Sequence, residues 1–178
     1  MSEDHDWPIR ESVAEYETGW FTAGYDLVEQ PDGSTKRYYW AELPPAVVVL
    51  PVAGDEIVMV QQYRPAIRKH CLELPAGIVE DGESYTEAGA RELREETGFD
   101  PAGTALLEDF WVATGAMRHE RGIVFAEGLE PVEASLDDNE FLEVVTVPIE
   151  DAVDRVRAEP ANDATIEALL LAQADGVL

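Results

Sequence analysis

Three glutamates, Glu92, Glu95 and Glu96, lie within five consecutive positions of the chain. On a helix, residues three and four apart share a face. Glu92 and Glu96 would then lie about 6 Å apart along the axis, at a rise of 1.5 Å per residue. Like charges this close repel one another, and near the end of a helix they also face the negative pole of its dipole. A bound hard cation such as Mg²⁺ would remove that repulsion, since it prefers carboxylate oxygens.

A solvated acidic face is the alternative explanation, because the chain carries 38 acids against 12 basic residues and a net charge of −26. This charge argues against sequence-independent binding to nucleic acid and against anionic membranes. Only two of the basic residues are lysines. An acidic surface that is nearly free of lysine is typical of proteins from a salt-rich cytosol, where self-repulsion is screened.

The acidic triplet requires a helix, and the sequence around it predicts one from Ser84 to Thr97. Ser84 followed by Glu87 is a capping box, and Gly98 supplies a C-terminal stop. Apolar runs predict strands before this helix, and the pattern after it returns to strands and then to helices. The expected strands lie near 46–50, 57–63, 105–112, 122–126 and 141–147, and the expected helices lie near 150–157 and 164–174. This order indicates an α/β or α+β layered fold of a single main domain.

The first 44 residues form a separate group in the sequence. Residues 1–18 are polar and are expected to be an arm, whereas the aromatic-rich stretches 20–30 and 37–42 flank a Pro-Asp-Gly-Ser turn and predict a β-hairpin. We therefore expect an N-terminal arm and antiparallel β subdomain over 1–44 and a main domain over 45–178. Cys71 is the only cysteine, the N-terminus lacks signal-peptide features, and no apolar run approaches the roughly 20 residues of a membrane span. These features predict a soluble cytoplasmic protein.

The segment 77–99 carries a more specific pattern than its charges. It resembles the Nudix box, in which a glycine, a glutamate and an Arg-Glu-apolar-x-Glu-Glu-x-Gly-apolar run stand at fixed spacing. Every fixed position matches: Gly77, Glu83, Arg91, Glu92, Leu93, Glu95, Glu96, Gly98 and Phe99. The resemblance implies an α/β/α sandwich around a mixed sheet. It also implies a loop–helix–loop that binds Mg²⁺ or Mn²⁺. Proteins of this kind hydrolyse compounds in which a nucleoside diphosphate is linked to another group.

The resemblance extends over roughly residues 15–158, and over this range the chain resembles the ADP-ribose pyrophosphatase branch of that family. The stretches 47–51, 61–66 and 72–77 carry it, together with the N-terminal hairpin. It implies cleavage of ADP-ribose or a related nucleoside diphosphate sugar into a nucleoside monophosphate and a sugar phosphate. One departure is Thr114, where members that prefer ADP-ribose usually carry proline, so another sugar nucleotide or a dinucleotide remains an alternative substrate. A non-catalytic ligand-sensing Nudix domain is the alternative from another class, and the complete set of box carboxylates disfavours it.

The resemblance also implies roles for particular residues. The metal ligands would be the backbone carbonyl of Ala76 with Glu92 and Glu96, while Glu95 would hold a metal or a metal-bound water. Structural support of the box would come from Gly77, Glu83, Arg91 and Gly98. Glu140, in the acidic loop before the 141–147 strand, is the first choice for a further metal ligand or general base, and Glu120 is its competitor. A solvated loop acid is the alternative for both.

Substrate contacts are expected at four positions: Arg64, Trp20, Trp40 and Met117. Arg64 would face the phosphates, with a surface ion pair as the alternative. The tryptophans would stack on the base, since aromatic faces can stack on a purine, with core or dimer packing as the alternative. The resemblance implies that the loop after the box shapes the pocket around the terminal sugar, and Met117 lies in that loop. The resemblance also implies a homodimer formed through the N-terminal subdomain.

Overall fold

The computed structural model describes residues 6–136, 141–158 and 160–178. Its contacts divide the chain into two compact units. The first unit contains the chain up to Pro44 together with Trp111–Glu120, and the second contains Pro45–Phe110 and Arg121–Leu178. In chain order the elements are β1 Ile9–Glu17, β2 Thr22–Glu29, β3 Thr35–Glu42, β4 Ala46–Ala53, β5 Glu56–Arg64, β6 Lys69–Glu73, β7 Ala76–Ile78, α1 Tyr85–Thr97, β8 Phe99–Trp111, β9 Met117–Arg118, β10 Glu120–Pro131, β11 Leu142–Pro148, α2 Ile149–Val156 and α3 Asp163–Asp175.

The first unit is a four-stranded sheet in the order β1-β2-β3-β9. Strands β1, β2 and β3 are antiparallel, and the short β9 lies parallel to β3. The predicted hairpin is confirmed as β2 and β3, but the expectation of an arm over residues 1–18 was wrong, because β1 is a nine-residue strand. Nearly all side chains of β1 are exposed. A strand with no buried face lacks the alternation of apolar and polar residues that would have predicted it.

The second unit is built on a mixed sheet in the order β11-β5-β4-β10-β8, with β6 added to β5 and β7 added to β4. β4 lies parallel to β10 and antiparallel to β5. The five strands and three helices predicted for this unit are confirmed, several with longer bounds. The short strands β6 and β7 were not predicted, since three to five residues give too little periodicity.

Alternate residues of β4 pack into two separate cores, one on each face of the sheet. Val47 and Val49 pack with Leu93 of α1, whereas Val48 and Leu50 pack against α2 and α3. All four β4 side chains are buried on a two-sided strand, which explains the unbroken apolar run in the sequence. The layers are therefore helix, sheet and helix, and this confirms the expected α/β/α sandwich. Within the described ranges, every helix is too short or too polar to cross a membrane.

Candidate active site

Helix α1 begins and ends where local side chains satisfy its free backbone groups. The Ser84 hydroxyl accepts from the Glu87 N–H at 3.3 Å, and the Glu87 carboxylate accepts from the Ser84 N–H at 2.9 Å. At the other end Gly98 adopts a left-handed conformation with φ of 72° and donates to the Arg94 carbonyl. Both signals are present in the sequence, and they set where the helix begins and ends.

Two glutamates of the acidic triplet are buried beside strand β7. Glu92 is 8% exposed and Glu96 is 4% exposed. The Ala76 N–H donates to Oε2 of Glu96 at 3.2 Å. A Cβ atom at Gly77 would overlap the Glu92 carboxyl group, so only glycine leaves room for that side chain. Because carboxylates are seldom buried without a charged or coordinating partner, this burial is unlike a solvated acidic face.

Arg91 ties the loop before α1 to the acidic face of the helix. Its Nε and Nη2 donate to both oxygens of Glu83 at 2.9 Å each, and Nη2 also donates to the Ile78 carbonyl. Its Nη1 donates to Glu92 at 2.8 Å and to Glu95 at 3.1 Å. The hydrogen bonds to Glu83 raise the pKa of Arg91, and the same bonds lower the pKa of the Glu83 carboxyl group. The geometry is the bidentate fork that suits arginine and not lysine.

The donor set fits a hard divalent cation. Glu92 and Glu96 supply carboxylate oxygens next to the backbone of Ala76, and Mg²⁺ favours oxygen ligands of this kind. Glu95 binds Arg91 and its side chain is more exposed, at 39%. In the part of the chain that the structure describes, no three side chains of Asp, Glu, His or Cys form a ready metal-binding group. A metal would therefore need backbone oxygen or water in addition to the two buried carboxylates.

Arg64, expected to contact phosphate, forms an ion pair in this structure. Its Nη2 lies 2.7 Å from Oε2 of Glu73, at the end of β6. Glu73 was not predicted as a site residue, because an acid between two leucines in a strand is typical of a solvent-facing side chain and gives no sign of burial. The pair is not confined to the surface, since the Glu73 side chain is only 3% exposed while that of Arg64 is 43% exposed. The phosphate contact of Arg64 stays a prediction.

In the first unit, Trp40 belongs to a polar cluster with Asp26 and Arg118. The indole N–H donates to Oδ1 of Asp26 at 3.0 Å, and the Arg118 guanidinium lies 4.0 Å from the centre of the ring. Arg118 also donates to Oδ2 of Asp26 at 2.6 Å, and the Ser12 hydroxyl donates to Oδ1. Burial raises the pKa of Asp26, but the bonds from Ser12, Trp40 and Arg118 outweigh burial and leave it lowered. The Asp26–Arg118 pair joins residues 92 apart, and no local spacing signals it.

The other predicted site residues differ in how exposed they are and in whether the structure describes them. Trp20 is exposed at 62% in the turn before β2. Met117 is partly buried in β9, opposite Ala41 of β3, and Glu120 is partly buried at the start of β10. Glu140 lies outside the described residues. The substrate and base roles of these four positions stay predictions.

The chain is similar to known proteins in both sequence and fold. A model of the NUDIX domain matches residues 42–169. The chain is 34% identical over 140 residues to the ADP-ribose pyrophosphatase of Bacillus subtilis (strain 168), covering 77% of this chain and 76% of that one. It is 33% identical over 141 residues to the methanol dehydrogenase activator of Bacillus methanolicus, covering 78% and 76%. The crystal structure of an ADP compounds hydrolase superposes with a TM-score of 0.86 at 25% identity, covering 97% of each chain.

Proposed function

The chain belongs to the NUDIX domain family, and we propose that it hydrolyses the diphosphate linkage of ADP-ribose or a related nucleoside diphosphate sugar. The products are a nucleoside monophosphate and a sugar phosphate. The observation that carries the proposal is the pair of buried carboxylates, Glu92 and Glu96, held against Ala76 and Gly77. One relative is an ADP-ribose pyrophosphatase and the superposed structure is an ADP compounds hydrolase, and both support this substrate class.

The proposed cofactor is Mg²⁺, with Mn²⁺ as a substitute, held by Glu92, Glu96 and the Ala76 carbonyl. When bound, such a cation neutralises diphosphate oxygens and makes a coordinated water more acidic. Arg91 keeps the Glu92 and Glu95 side chains oriented through its two bonds from Nη1. Glu95 would accept a proton or orient a water, and the greater exposure of its carboxylate relative to Glu92 and Glu96 supports this role.

Further residues complete the proposed reaction. Glu140 is the first choice for a general base or loop ligand, and Glu120 is the second, since each is an acid in the segment after the box. Arg64 would contact the diphosphate. Trp20, Trp40 and Met117 would contact the base and the terminal sugar. The Arg118 guanidinium already covers one face of the Trp40 ring, 4.0 Å from its centre, so the base would have to stack on the opposite face.

We also propose a cytoplasmic homodimer that works at high salt. The strand β1 lies at the edge of the first unit's sheet with mostly exposed side chains. Tyr16, Trp20 and Tyr39 expose large aromatic surfaces in the same unit, and such surfaces often mark interfaces. The excess of acidic residues, together with ten arginines against two lysines, supports a protein that works in a salt-rich cytosol. Light scattering tests the dimer, and a free energy of unfolding that does not rise between low and molar KCl would contradict the salt assignment.

The function is tested by incubating a panel of nucleotide sugars and dinucleotides with the enzyme in Mg²⁺ or Mn²⁺ at molar KCl. We expect ADP-ribose to yield AMP and ribose phosphate. Glu96→Gln should lower kcat/KM by about 10³-fold, because several kcal/mol of charge stabilisation depend on the bound cation. Glu108→Gln, which changes an exposed acid of β8, is the matched control and should keep wild-type activity.

The same variants separate the alternatives. Mn²⁺ binding, followed by electron paramagnetic resonance, should weaken in Glu96→Gln and not in Glu108→Gln, whichever substrate is preferred. A preference for another member of the panel would move the substrate assignment and keep the chemistry. Folded wild-type protein that binds members of the panel without cleaving any would favour the sensing domain and end the enzymatic proposal.

A further inference from the structure

The buried carboxylate of Glu73 accepts hydrogen bonds from three different side chains. Its Oε2 accepts from Nε of Arg64 at 2.8 Å and from the Gln62 amide at 3.1 Å. Its Oε1 accepts from the Asn162 amide at 2.7 Å. Nη2 of Arg64 is also 2.7 Å from Oε2. At 2% exposure the residue is nearly enclosed, so these four contacts compensate for the burial of its carboxyl group.

The strand register explains why these side chains meet. Glu73 is paired with Val60, and Gln62 and Arg64 follow at two-residue steps along β5, so they project from the same face. Residues 57–72 contain neither Asp nor Glu, so Glu73 is the first acid after Glu56. Strand register, and not proximity in the sequence, therefore brings the Glu73 carboxylate to Arg64.

A third element locks the acceptor itself. Asn162 is the N-cap of α3, and its Oδ1 accepts from the Thr165 N–H at 3.0 Å. The cap leaves the amide nitrogen directed at Glu73. The Leu74 N–H donates to the Thr165 hydroxyl at 3.1 Å. The start of α3 therefore fixes both Glu73 and the residue after it, and Ala76, whose N–H binds Glu96, follows two residues later.

The bonds to Glu73 use only one edge of the guanidinium. Nε and Nη2 face Glu73, and the five N–H donors of arginine are arranged in a rigid plane. Once one edge is bound, the direction of the Nη1 donors is set as well. The Arg64 side chain is 43% exposed, so the rest of the group remains accessible to a ligand.

We propose that Glu73 is a positioning residue that orients Arg64 for the diphosphate of the substrate. This inference rests on the proposed function. Glu73 does not touch the substrate; it fixes the direction in which Arg64 presents its remaining N–H groups. The segment Glu73–Ala76 thus places both an arginine for the substrate and a backbone oxygen for the cation, which couples phosphate binding to the box.

The test is a double-mutant cycle at constant molar KCl with ADP-ribose. Glu73→Gln keeps the size of the side chain but replaces one acceptor by a donor that faces the guanidinium. We expect KM to rise about tenfold with kcat changed less than threefold, because substrate binding weakens more than the chemical step. In an Arg64→Gln background the same change should alter KM less than twofold. Arg94→Gln, which breaks an exposed pair with Asp100, is the control for loss of a surface arginine and should leave KM unchanged.

Several results would overturn the inference. One is an unchanged KM in Glu73→Gln. Another is a further tenfold rise in KM when Glu73→Gln is added to the Arg64→Gln variant. Glu73→Asp, which keeps the charge but shortens the reach, decides the question if Glu73→Gln does not fold: a raised KM supports the role and an unchanged KM overturns it. A wild-type enzyme without turnover on the panel would defeat the proposed function together with this role, whereas turnover with unchanged KM in the Glu73 variants defeats the positioning role alone.

Discussion

Each unit of the molecule contains an arginine at the centre of a carboxylate network, and the two networks are built differently. Arg91 of the second unit binds Glu83, Glu92, Glu95 and a backbone carbonyl, all within 13 positions of it in the sequence. Arg118 of the first unit binds Asp26 and Glu42, which lie 92 and 76 positions away, and covers the Trp40 ring. The Arg91 side chain is 21% exposed and that of Arg118 is 38% exposed.

The difference teaches where sequence spacing carries information. Around Arg91 the partners follow from one helix and its preceding loop, so local geometry alone brings the charges together. Around Arg118 the partners meet only after three strands have paired in register. The first network holds the carboxylates of the proposed site, and the second joins strands of a sheet. Three experiments test this comparison.

A methyl group added at Gly77 should disturb the site, whereas one added at Gly24 should disturb the sheet. At Gly77 it would meet the Glu92 carboxyl, and at Gly24 it would meet the Val13 carbonyl of the neighbouring strand. A displaced side chain of about 1 Å can cost roughly 10² in rate, so Gly77→Ala should lower kcat/KM about 100-fold with a small loss of stability. Gly24→Ala must move backbone and should lower the free energy of unfolding by about 3 kcal/mol.

The measurements are steady-state kinetics and urea unfolding on both variants in the same buffer. Gly103→Ala is the control, since a methyl group there meets no atom closer than 3.9 Å. An activity loss in Gly77→Ala that merely follows its loss of stability would remove the distinction between the two regions.

Removal of each central arginine should produce unequal losses of stability. Arg91→Gln leaves Glu83 and Glu92 without their guanidinium, and both are shielded from water. We expect a loss of about 2 kcal/mol, below the 3–5 kcal/mol range of fully buried pairs. Arg118→Gln should cost about 1 kcal/mol, because Arg118 and Glu42 are exposed enough for solvent to screen them, and because Asp26 keeps its bonds from Ser12 and Trp40. Urea unfolding measures both, and an equal or larger loss in Arg118→Gln would contradict the ranking.

The same contrast explains how much of the molecule the sequence predicted. The α1 helix, its caps and the acidic face were predictable because Ser84, Glu87 and Gly98 act within a few residues. The two-sided β4 was predictable from its apolar run. The strand β1 was not, because its exposed side chains carry no pattern. The partners of Arg64 and Arg118 were also missed, since strand register, and not spacing along the chain, decides which carboxylate an arginine meets.

The pH dependence of stability should separate the two networks more finely, with the smallest of the three effects. The pKa of Glu83 is lowered first of all by its bonds from Arg91, whereas that of Asp26 is lowered by Ser12 and Trp40 before Arg118. Both carboxyl groups have a higher pKa in the unfolded chain than in the folded one. Their contribution to the free energy of unfolding is therefore present above the unfolded pKa of about 4 and is lost as pH falls through the folded pKa.

Arg91→Gln should remove the contribution of Glu83 and flatten the fall of the unfolding free energy below pH 5. Arg118→Gln should leave most of the contribution of Asp26, because two of its hydrogen bonds remain. Urea unfolding between pH 3 and pH 7 measures these slopes. If Arg118→Gln flattened the curve as much as Arg91→Gln does, the Asp26 carboxylate would depend on its distant arginine as strongly as Glu83 depends on its near one.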